Sequence, residues 1–356
     1  MVNNLNFKVL DGLRGIAALY VVINHSRAKL HIGGSEYAQE VSISDWSFIE
    51  KAYFSALQLT SVGREFVIFF FVLSGFSIAF SLNHNSSTFQ FWKKRLIRLY
   101  PPYILAILWA GFVFYFIDYE NGISVLNSFS VFIKNLFYIP TGSLIAQFWS
   151  LPHEVIFYLI IPFLFIKIRF YYTFSVFFWL ISFIISWNNI AGSNLLTKFL
   201  FDYNIFFAVG VYLYRNYSYF QQKLVLKKTL LIIVTISTFL LMVAINFTLG
   251  DYSKINQAIS SFFSILLLVN FLHFNITNRL IEFLGKMSYT LYITHWASIF
   301  LFKYLLQNFG VIESGPVKTY WIWYFGIVFC VMISYVFYFM VEARTKNLLN
   351  IIRKKE

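Results

Sequence analysis

The chain has 356 residues, of which 59% are hydrophobic, 22% are aromatic and only 12% are charged. Because a soluble domain carries about 25% charged residues, this composition excludes an ordinary water-soluble protein and predicts a polytopic membrane protein. The net charge of +13 does not indicate nucleic-acid binding, because the basic residues lie at the ends of apolar segments.

About ten low-charge segments have the length that a helix needs to cross a membrane. They lie at residues 9–30, 65–82, 100–118, 148–167, 170–187, 199–214, 229–247, 257–274, 289–308 and 319–341. We therefore expect an all-α membrane bundle that forms a single transmembrane domain over residues 1–345. Residues 346–356 are predicted to form a short basic cytoplasmic tail. We expect no cleavable signal peptide, because the first apolar run is too long.

The distribution of lysine and arginine predicts the orientation. They are more numerous between alternate segments, for example at residues 93–98, and in the tail. By the positive-inside rule, both termini are predicted to be cytoplasmic. The single cysteine, Cys330, excludes an internal disulfide and a cysteine-cluster metal site, and we interpret it as a packing residue. We predict no metal site, and the sequence contains no HExxH, Walker A, GxSxG or GxGxxG pattern.

The first apolar segment carries Arg14 and His25, eleven positions apart. Eleven steps of about 100° return to nearly the same helix face, and a rise of about 1.5 Å per residue separates the two by roughly 16 Å. This places the histidine near the membrane midplane, where ionisable groups are usually functional. Asp11 can pair with Arg14, either neutralising it or holding it for an anionic ligand. The alternative is a snorkelling arginine and a structural histidine.

The sequence WKKRLIRLYPPY contains Lys94, Arg95 and Arg98. The two arginines share one face if this segment is helical, and Pro101 and Pro102 are predicted to mark the start of the next span. Guanidinium groups suit phosphate oxygens. The alternative is a basic anchor on anionic lipid.

The sequence FWSLPHEVIFYLIIP places Ser150 and Glu154 four positions apart, with His153 beside them. A carboxylate this close to hydrocarbon needs a partner or a water-filled cavity, so Glu154 is a candidate for positioning a polar acceptor. The alternative is an interfacial carboxylate near the water boundary.

The sequence FLGKMSYTLYITHW places Gly285, Ser288, Tyr292 and His295 at the spacing of one helical face. A polar stripe on an apolar helix faces a bundle interior or a cavity. His25 and His295 are therefore the better candidates for buried proton chemistry. A structural hydrogen-bond network is the alternative.

Together, these segments resemble the acyltransferase-3 family of integral membrane acyltransferases over nearly the whole chain. The first-helix signature of that family, a basic residue and a histidine with ten residues between them, is matched by Arg14 and His25. The other matching elements are FFFVLSGF, the RxxR of Arg95 and Arg98, the WSLxxE of Ser150 and Glu154, the GxxSYxxYxxH of Gly285, Ser288, Tyr289, Tyr292 and His295, and a closing Glu342, after which Ala343 replaces the usual proline.

The resemblance implies transfer of an acyl group, most commonly acetyl, from cytoplasmic acetyl-CoA to a carbohydrate hydroxyl. A stand-alone member of this size resembles those that O-acetylate surface polysaccharides, such as O-antigen or exopolysaccharide units. The resemblance implies a location in the bacterial inner (plasma) membrane. It implies a catalytic group of His25, as general base or acyl carrier, with Arg14 and Asp11. It also implies CoA contacts from Arg95, Arg98 and Lys94, and acceptor contacts from Ser150, Glu154, Tyr292 and His295.

The implied partners are a carbohydrate acceptor, which can be lipid-linked, membrane lipid and glycan-assembly proteins, with no nucleic acid. One competing hypothesis is a transporter of an anionic or acyl-bearing solute, which predicts no CoA binding through Arg95 and Arg98. Another is a non-catalytic subunit of a glycan-assembly complex, for which His25→Ala leaves acylation unchanged.

Overall fold

The computed structural model describes residues 6–84, 87–121, 129–139, 146–187, 194–223, 228–250, 253–312 and 321–355. Within these ranges the regular elements are helices and no strand occurs, which confirms the all-α prediction. The α-helices there are α1 (Phe7–Leu30), α2 (Gly34–Glu40), α3 (Phe48–Leu57), α4 (Gly63–His84), α5 (Thr88–Asn121), α6 (Phe129–Leu136), α7 (Leu151–Leu164), α8 (Ile168–Trp187), α9 (Leu195–Lys198), α10 (Asn204–Arg215), α11 (Tyr217–Lys223), α12 (Lys228–Leu249), α13 (Lys254–His273), α14 (Arg279–Lys286), α15 (Ser288–Asn308), α16 (Ile322–Phe337) and α17 (Ala343–Lys355).

Seven helical stretches of the described chain are long and apolar enough to cross a membrane. They are Phe48–Asn83, Thr88–Ile117, Gln147–Ile184, Leu195–Arg215, Lys228–Leu249, Lys254–His273 and Ile322–Leu349. The predicted span at 148–167 and most of the predicted span at 170–187 fall within one of these stretches, Gln147–Ile184. Helices α1 and α15, which carry the predicted histidines, are long enough but more polar, and they are not among the seven. The predicted number of about ten spans and the predicted orientation of the chain therefore stay predictions. The predicted start of the last span, at residue 319, and the last residue of the predicted tail, 356, lie outside the described residues.

Helix α5 differs from the sequence prediction. Pro101 and Pro102 do not begin a helix; they lie inside one that begins at Thr88. Each proline lacks the N–H that would bond the carbonyl four residues earlier, and apolar membrane helices tolerate this loss. Arg95 and Arg98 therefore lie on the same helix as the prolines, in the turns that precede them.

The chain divides into two compact units. The first unit contains Met1–Ala17, Arg64–Ile97 and Phe148–Lys286, and the second contains Ala18–Gly63, Arg98–Gln147 and Met287–Glu356. In the first unit, α4 and α10 approach so closely that a Cβ on Gly75 would meet the backbone of Phe207. The ring centroids of Phe71 and Phe207 lie 4.7 Å apart, and those of Phe157 and Phe207 lie 4.3 Å apart, so aromatic packing fills this core.

In the second unit, α15 packs against α16. The hydroxyls of Thr294 and Ser334 are hydrogen-bonded at 2.9 Å between these helices. Small polar residues let membrane helices approach and hydrogen-bond to one another. This packing fixes α15, the helix that carries Tyr292 and His295.

Candidate functional site

The side chains of His25 and His295 are hydrogen-bonded to each other in the second unit. Nδ1 of His25 on α1 lies 2.8 Å from Nε2 of His295 on α15. His295 is fully buried, whereas His25 keeps part of its surface exposed. The two histidines that the sequence analysis selected separately are thus one pair.

Backbone and side-chain contacts hold His295 in place. Its Nδ1 lies 2.7 Å from the carbonyl oxygen of Tyr292, one turn earlier on α15. The Tyr292 hydroxyl donates to the carbonyl of Gln147 at 2.9 Å, and the Gln147 amide donates back to the carbonyl of Ile293 at 3.5 Å. The Tyr292 hydroxyl hydrogen is therefore used within the protein, and acceptor binding by Tyr292 stays a prediction.

An aromatic residue next to this pair was not selected from the sequence. The Trp296 ring lies edge-on to His25, with centroids 5.1 Å apart. Nζ of Lys29, one turn after His25 on α1, lies 5.4 Å from the centroid of the same ring. His25 and Lys29 thus both contact the indole of Trp296, and this indole packs against one side of the His25 imidazole. The only sequence signal for it is its position directly after His295.

Arg14 is held by two partners in the first unit. Its Nη1 lies 3.2 Å from Oδ1 of Asp11, as predicted from their spacing, and its Nη2 donates to the Ser77 hydroxyl at 2.8 Å. The side chain of Asp11 remains about half exposed, whereas that of Arg14 is largely buried. The planar guanidinium uses its fork to reach both partners, so its orientation is fixed.

The carboxylate of Glu154 accepts two hydrogen bonds on one oxygen. The Ser74 hydroxyl donates to Oε1 at 2.6 Å, and the Tyr158 hydroxyl donates to the same atom. Ser74 and Ser77 lie three positions apart on α4, so one face of α4 contacts both Glu154 and Arg14. Neither serine was selected from the sequence, although both interrupt the apolar run FFFVLSGFSIAF.

The predicted CoA-binding residues all lie on α5. The Arg95 guanidinium lies over the rings of Phe91 and Tyr158, at 5.4 and 5.5 Å from their centroids. Arg98 and Lys94 are partly buried on the same helix. Both arginines lie in helix α5, which is the condition under which they share one face, and their binding of phosphate stays a prediction.

Two of the motif residues, Ser150 and Gly285, do not lie on the helix that carries His295. Ser150 is buried at the end of a 3₁₀ turn, Ala146–Ser150, directly before α7. Gly285 does not share a helix with His295, because α14 ends at Lys286 and the backbone leaves helical geometry at Met287 (φ −105°, ψ 11°). The one-face prediction was wrong for Gly285, and it holds only from Ser288 onward.

Glu342 caps the helix that carries His295. It lies in a π-helical turn, Tyr338–Glu342, and is almost fully buried. Its Oε2 accepts from the backbone N–H of Thr290 at 3.2 Å and from the Thr290 hydroxyl, and its Oε1 pairs with Nζ of Lys346 at 2.8 Å. A carboxylate at these first-turn N–H groups stabilises the N-terminus of α15. This contact forms with alanine, rather than proline, at the following position, Ala343.

Comparisons with known proteins agree with the motifs. The family described as "Acyltransferase domain" (acyltransferase-3) matches residues 7–339. Acyltransferase MdmB from Streptomyces mycarofaciens is 29% identical over 161 residues, which is 43% of this chain and 38% of that relative, so the aligned part spans less than half of the relative's length. No solved structure matches the chain. Because the family match covers nearly the whole chain and every motif up to His295, this chain belongs to the acyltransferase-3 family of membrane acyltransferases.

Proposed function

We propose that this chain is an integral membrane O-acyltransferase of the bacterial inner membrane. It moves an acetyl group from cytoplasmic acetyl-CoA to a hydroxyl of a surface carbohydrate, such as an O-antigen or exopolysaccharide unit. The observation that carries the proposal is the hydrogen-bonded pair of His25 and His295 between helices α1 and α15 of an acyltransferase-family chain. The name of the similar Streptomyces protein, an acyltransferase, supports the reaction class.

The chemistry requires a base at the acceptor hydroxyl. The imidazole of His25 takes the hydroxyl proton while the acceptor oxygen attacks the thioester carbonyl, the C–S bond breaks, and the departing CoA thiolate takes the proton as a thiol. A positioned base supplies a rate increase of about 10²–10⁴-fold. In the alternative route, His25 carries the acyl group between donor and acceptor.

The basic residues on α5 suit the donor. Arg95, Arg98 and Lys94 supply guanidinium and ammonium donors for the phosphates of CoA. Arg95 already packs over two aromatic rings, which limits its rotamers and lowers the entropy lost when it binds an anion. Arg14, oriented by Asp11 and Ser77, is the further cation that the proposal assigns to the reaction.

The acceptor side is assigned to Ser150, Glu154, Tyr292 and His295, with His295 acting through His25 because both of its ring nitrogens are hydrogen-bonded within the protein. In the described part of the chain, Glu154 takes its hydrogen bonds on Oε1 alone. Its Oε2 is therefore the oxygen that we assign to an acceptor hydroxyl. Carboxylate oxygens accept hydrogen bonds from sugar hydroxyls, which fits a carbohydrate acceptor.

The first experiment measures the O-acetyl content of surface glycan by NMR in cells that express wild type or His25→Ala at matched membrane levels. His273→Ala is the matched control, because His273 is an exposed histidine at the end of α13. We expect acetyl signals in wild type and in His273→Ala and their loss in His25→Ala. Equal acetylation in all three would remove His25 from the mechanism.

A second experiment tests the donor. Membranes are incubated with radiolabelled acetyl-CoA, and CoA binding is compared in wild type, Arg95→Ala/Arg98→Ala and Lys167→Ala/Arg169→Ala. The last double variant removes two exposed charges at the junction of α7 and α8. We expect binding to be lost only in the first double variant. Absence of CoA binding in wild type would contradict the enzyme and favour a transporter.

A further inference from the structure

The geometry of the histidine pair shows that its hydrogen bond lies in the plane of both rings. The ring centroids are 5.1 Å apart and the planes differ by only 12°. This separation exceeds the 2.8 Å Nδ1···Nε2 distance by about two ring radii, so both nitrogens lie near the line that joins the ring centres. An imidazole N–H and an imidazole lone pair both point outward in the ring plane, so this is a well-aligned hydrogen bond.

The partners of His295 determine which of its nitrogens carries the hydrogen. The carbonyl oxygen of Tyr292 can only accept, so Nδ1 of His295 carries the hydrogen and donates it across 2.7 Å. Nε2 of neutral His295 therefore has a lone pair. That lone pair faces Nδ1 of His25, so Nδ1 of His25 must carry the hydrogen of the 2.8 Å bond.

The same chain of donors leaves one nitrogen of His25 available. With the hydrogen on Nδ1, Nε2 of neutral His25 has a lone pair. No hydrogen bond to Nε2 occurs within the part of the chain that the structure describes, and His25 keeps some exposed surface. If neutral His25 carried its hydrogen on Nε2 instead, its Nδ1 lone pair would face the lone pair of His295. If His295 carried its hydrogen on Nε2, the Tyr292 carbonyl would lose its side-chain donor.

We propose that His295 is a positioning residue that holds His25 in its Nδ1–H tautomer and makes Nε2 the reactive nitrogen. The reactive role of Nε2 rests on the proposed function, whereas the tautomer does not. When Nε2 takes the hydroxyl proton, the Nδ1–H of the resulting imidazolium stays hydrogen-bonded to His295. The positive charge is thereby stabilised inside a low-dielectric site, at a geometry that exists before the reaction.

The proposal is tested by ¹⁵N NMR of histidine-labelled protein in nanodiscs, with His25→Ala to assign the signals. ¹⁵N shifts distinguish protonated from unprotonated imidazole nitrogens. We expect wild type to show Nδ1 of His25 protonated and Nε2 unprotonated. A wild-type spectrum with the hydrogen on Nε2 would overturn the proposal, whatever the activity of the protein.

Two variants of His295 add a kinetic readout. His295→Gln keeps an acceptor near the position of Nε2, whereas His295→Phe keeps the ring size without nitrogens. We expect His295→Phe to lower kcat by at least about tenfold, with a smaller change in the acceptor KM, and His295→Gln to recover part of the loss. A wild-type kcat in His295→Phe would also overturn the positioning role. Correct tautomers in a wild-type protein that transfers no acetyl group would contradict the proposed function alone.

Discussion

At the scale of single residues, Glu154 shows how a carboxylate is accommodated in the first turn of an apolar helix. An ionised group in hydrocarbon is costly, and here two hydroxyls, from Ser74 and Tyr158, donate to the same oxygen. Because the two donors share one acceptor, the contribution of each depends on the other. When one hydroxyl is removed, the other still donates a hydrogen bond to Oε1 of Glu154. When both are removed, Oε1 keeps neither of these two hydrogen bonds.

A double-mutant cycle tests this coupling. We expect Ser74→Ala and Tyr158→Phe each to lower the free energy of unfolding by about 0.5–1.5 kcal/mol. The double variant should lose at least about 0.5 kcal/mol more than the sum of the two. The measurement is unfolding in mixed detergent–SDS micelles, followed by tryptophan fluorescence. Thr248→Ala, which removes an exposed hydroxyl bonded to its own helix, is the control and should have little effect. Additive losses would show that the two donors act independently.

At the scale of helices, the family glycine Gly285 has a packing role in the first unit. A Cβ on Gly285 would overlap the backbone carbonyl of Asp11 and lie 2.8 Å from the amide nitrogen of Gly12. A Cβ on Gly15 would lie 2.5 Å from the amide nitrogen of Gly285. The backbones of α1 and α14 are therefore in direct contact, next to the Asp11 that orients Arg14. Backbone atoms cannot move aside as a flexible side chain can, so even one methyl group is too large here.

Alanine substitution at two glycines distinguishes the effect of this close helix packing on stability from the effect of helix propensity. We expect Gly285→Ala to lower the free energy of unfolding by at least about 1–3 kcal/mol and to reduce acyl transfer, because α1 must shift. Gly111→Ala, on α5 with nothing within 4 Å of its added Cβ, should be neutral or stabilising by up to about 1 kcal/mol. Unfolding of both variants in the same micelles provides the comparison. Equal effects at the two sites would exclude the close helix contact.

At the scale of the whole molecule, the sequence predicted what depends on composition and local spacing. The all-α class, the helical placement of His25 and His295, and the pairing of Arg14 with Asp11 were all predicted. These features follow from hydropathy and from the three- and four-residue spacing of one helix.

Contacts between segments far apart in the chain could not be predicted in this way. The hydrogen bond from His25 to His295 joins residues separated by 270 positions, and that from Ser74 to Glu154 joins residues separated by 80. Periodicity within one helix does not determine which other helix its polar face meets. It also could not locate the backbone break at Met287, because no proline or glycine occupies that position.

The orientation of the whole chain in the membrane is still a prediction, and single introduced cysteines can test it. The native Cys330 is fully buried, so the wild-type chain should not react with a membrane-impermeant maleimide. Ser44→Cys introduces a thiol at an exposed position between the first two predicted spans, which a cytoplasmic N-terminus places outside. Asn278→Cys introduces one at an exposed position predicted to be cytoplasmic. With both termini inside, the reagent should label Ser44→Cys in intact spheroplasts and Asn278→Cys only after lysis. Labelling of both variants without lysis would show that the segments between these two positions cross the membrane an even number of times, and labelling of Asn278→Cys alone would show the reverse orientation. Either result would make the positive-inside assignment wrong.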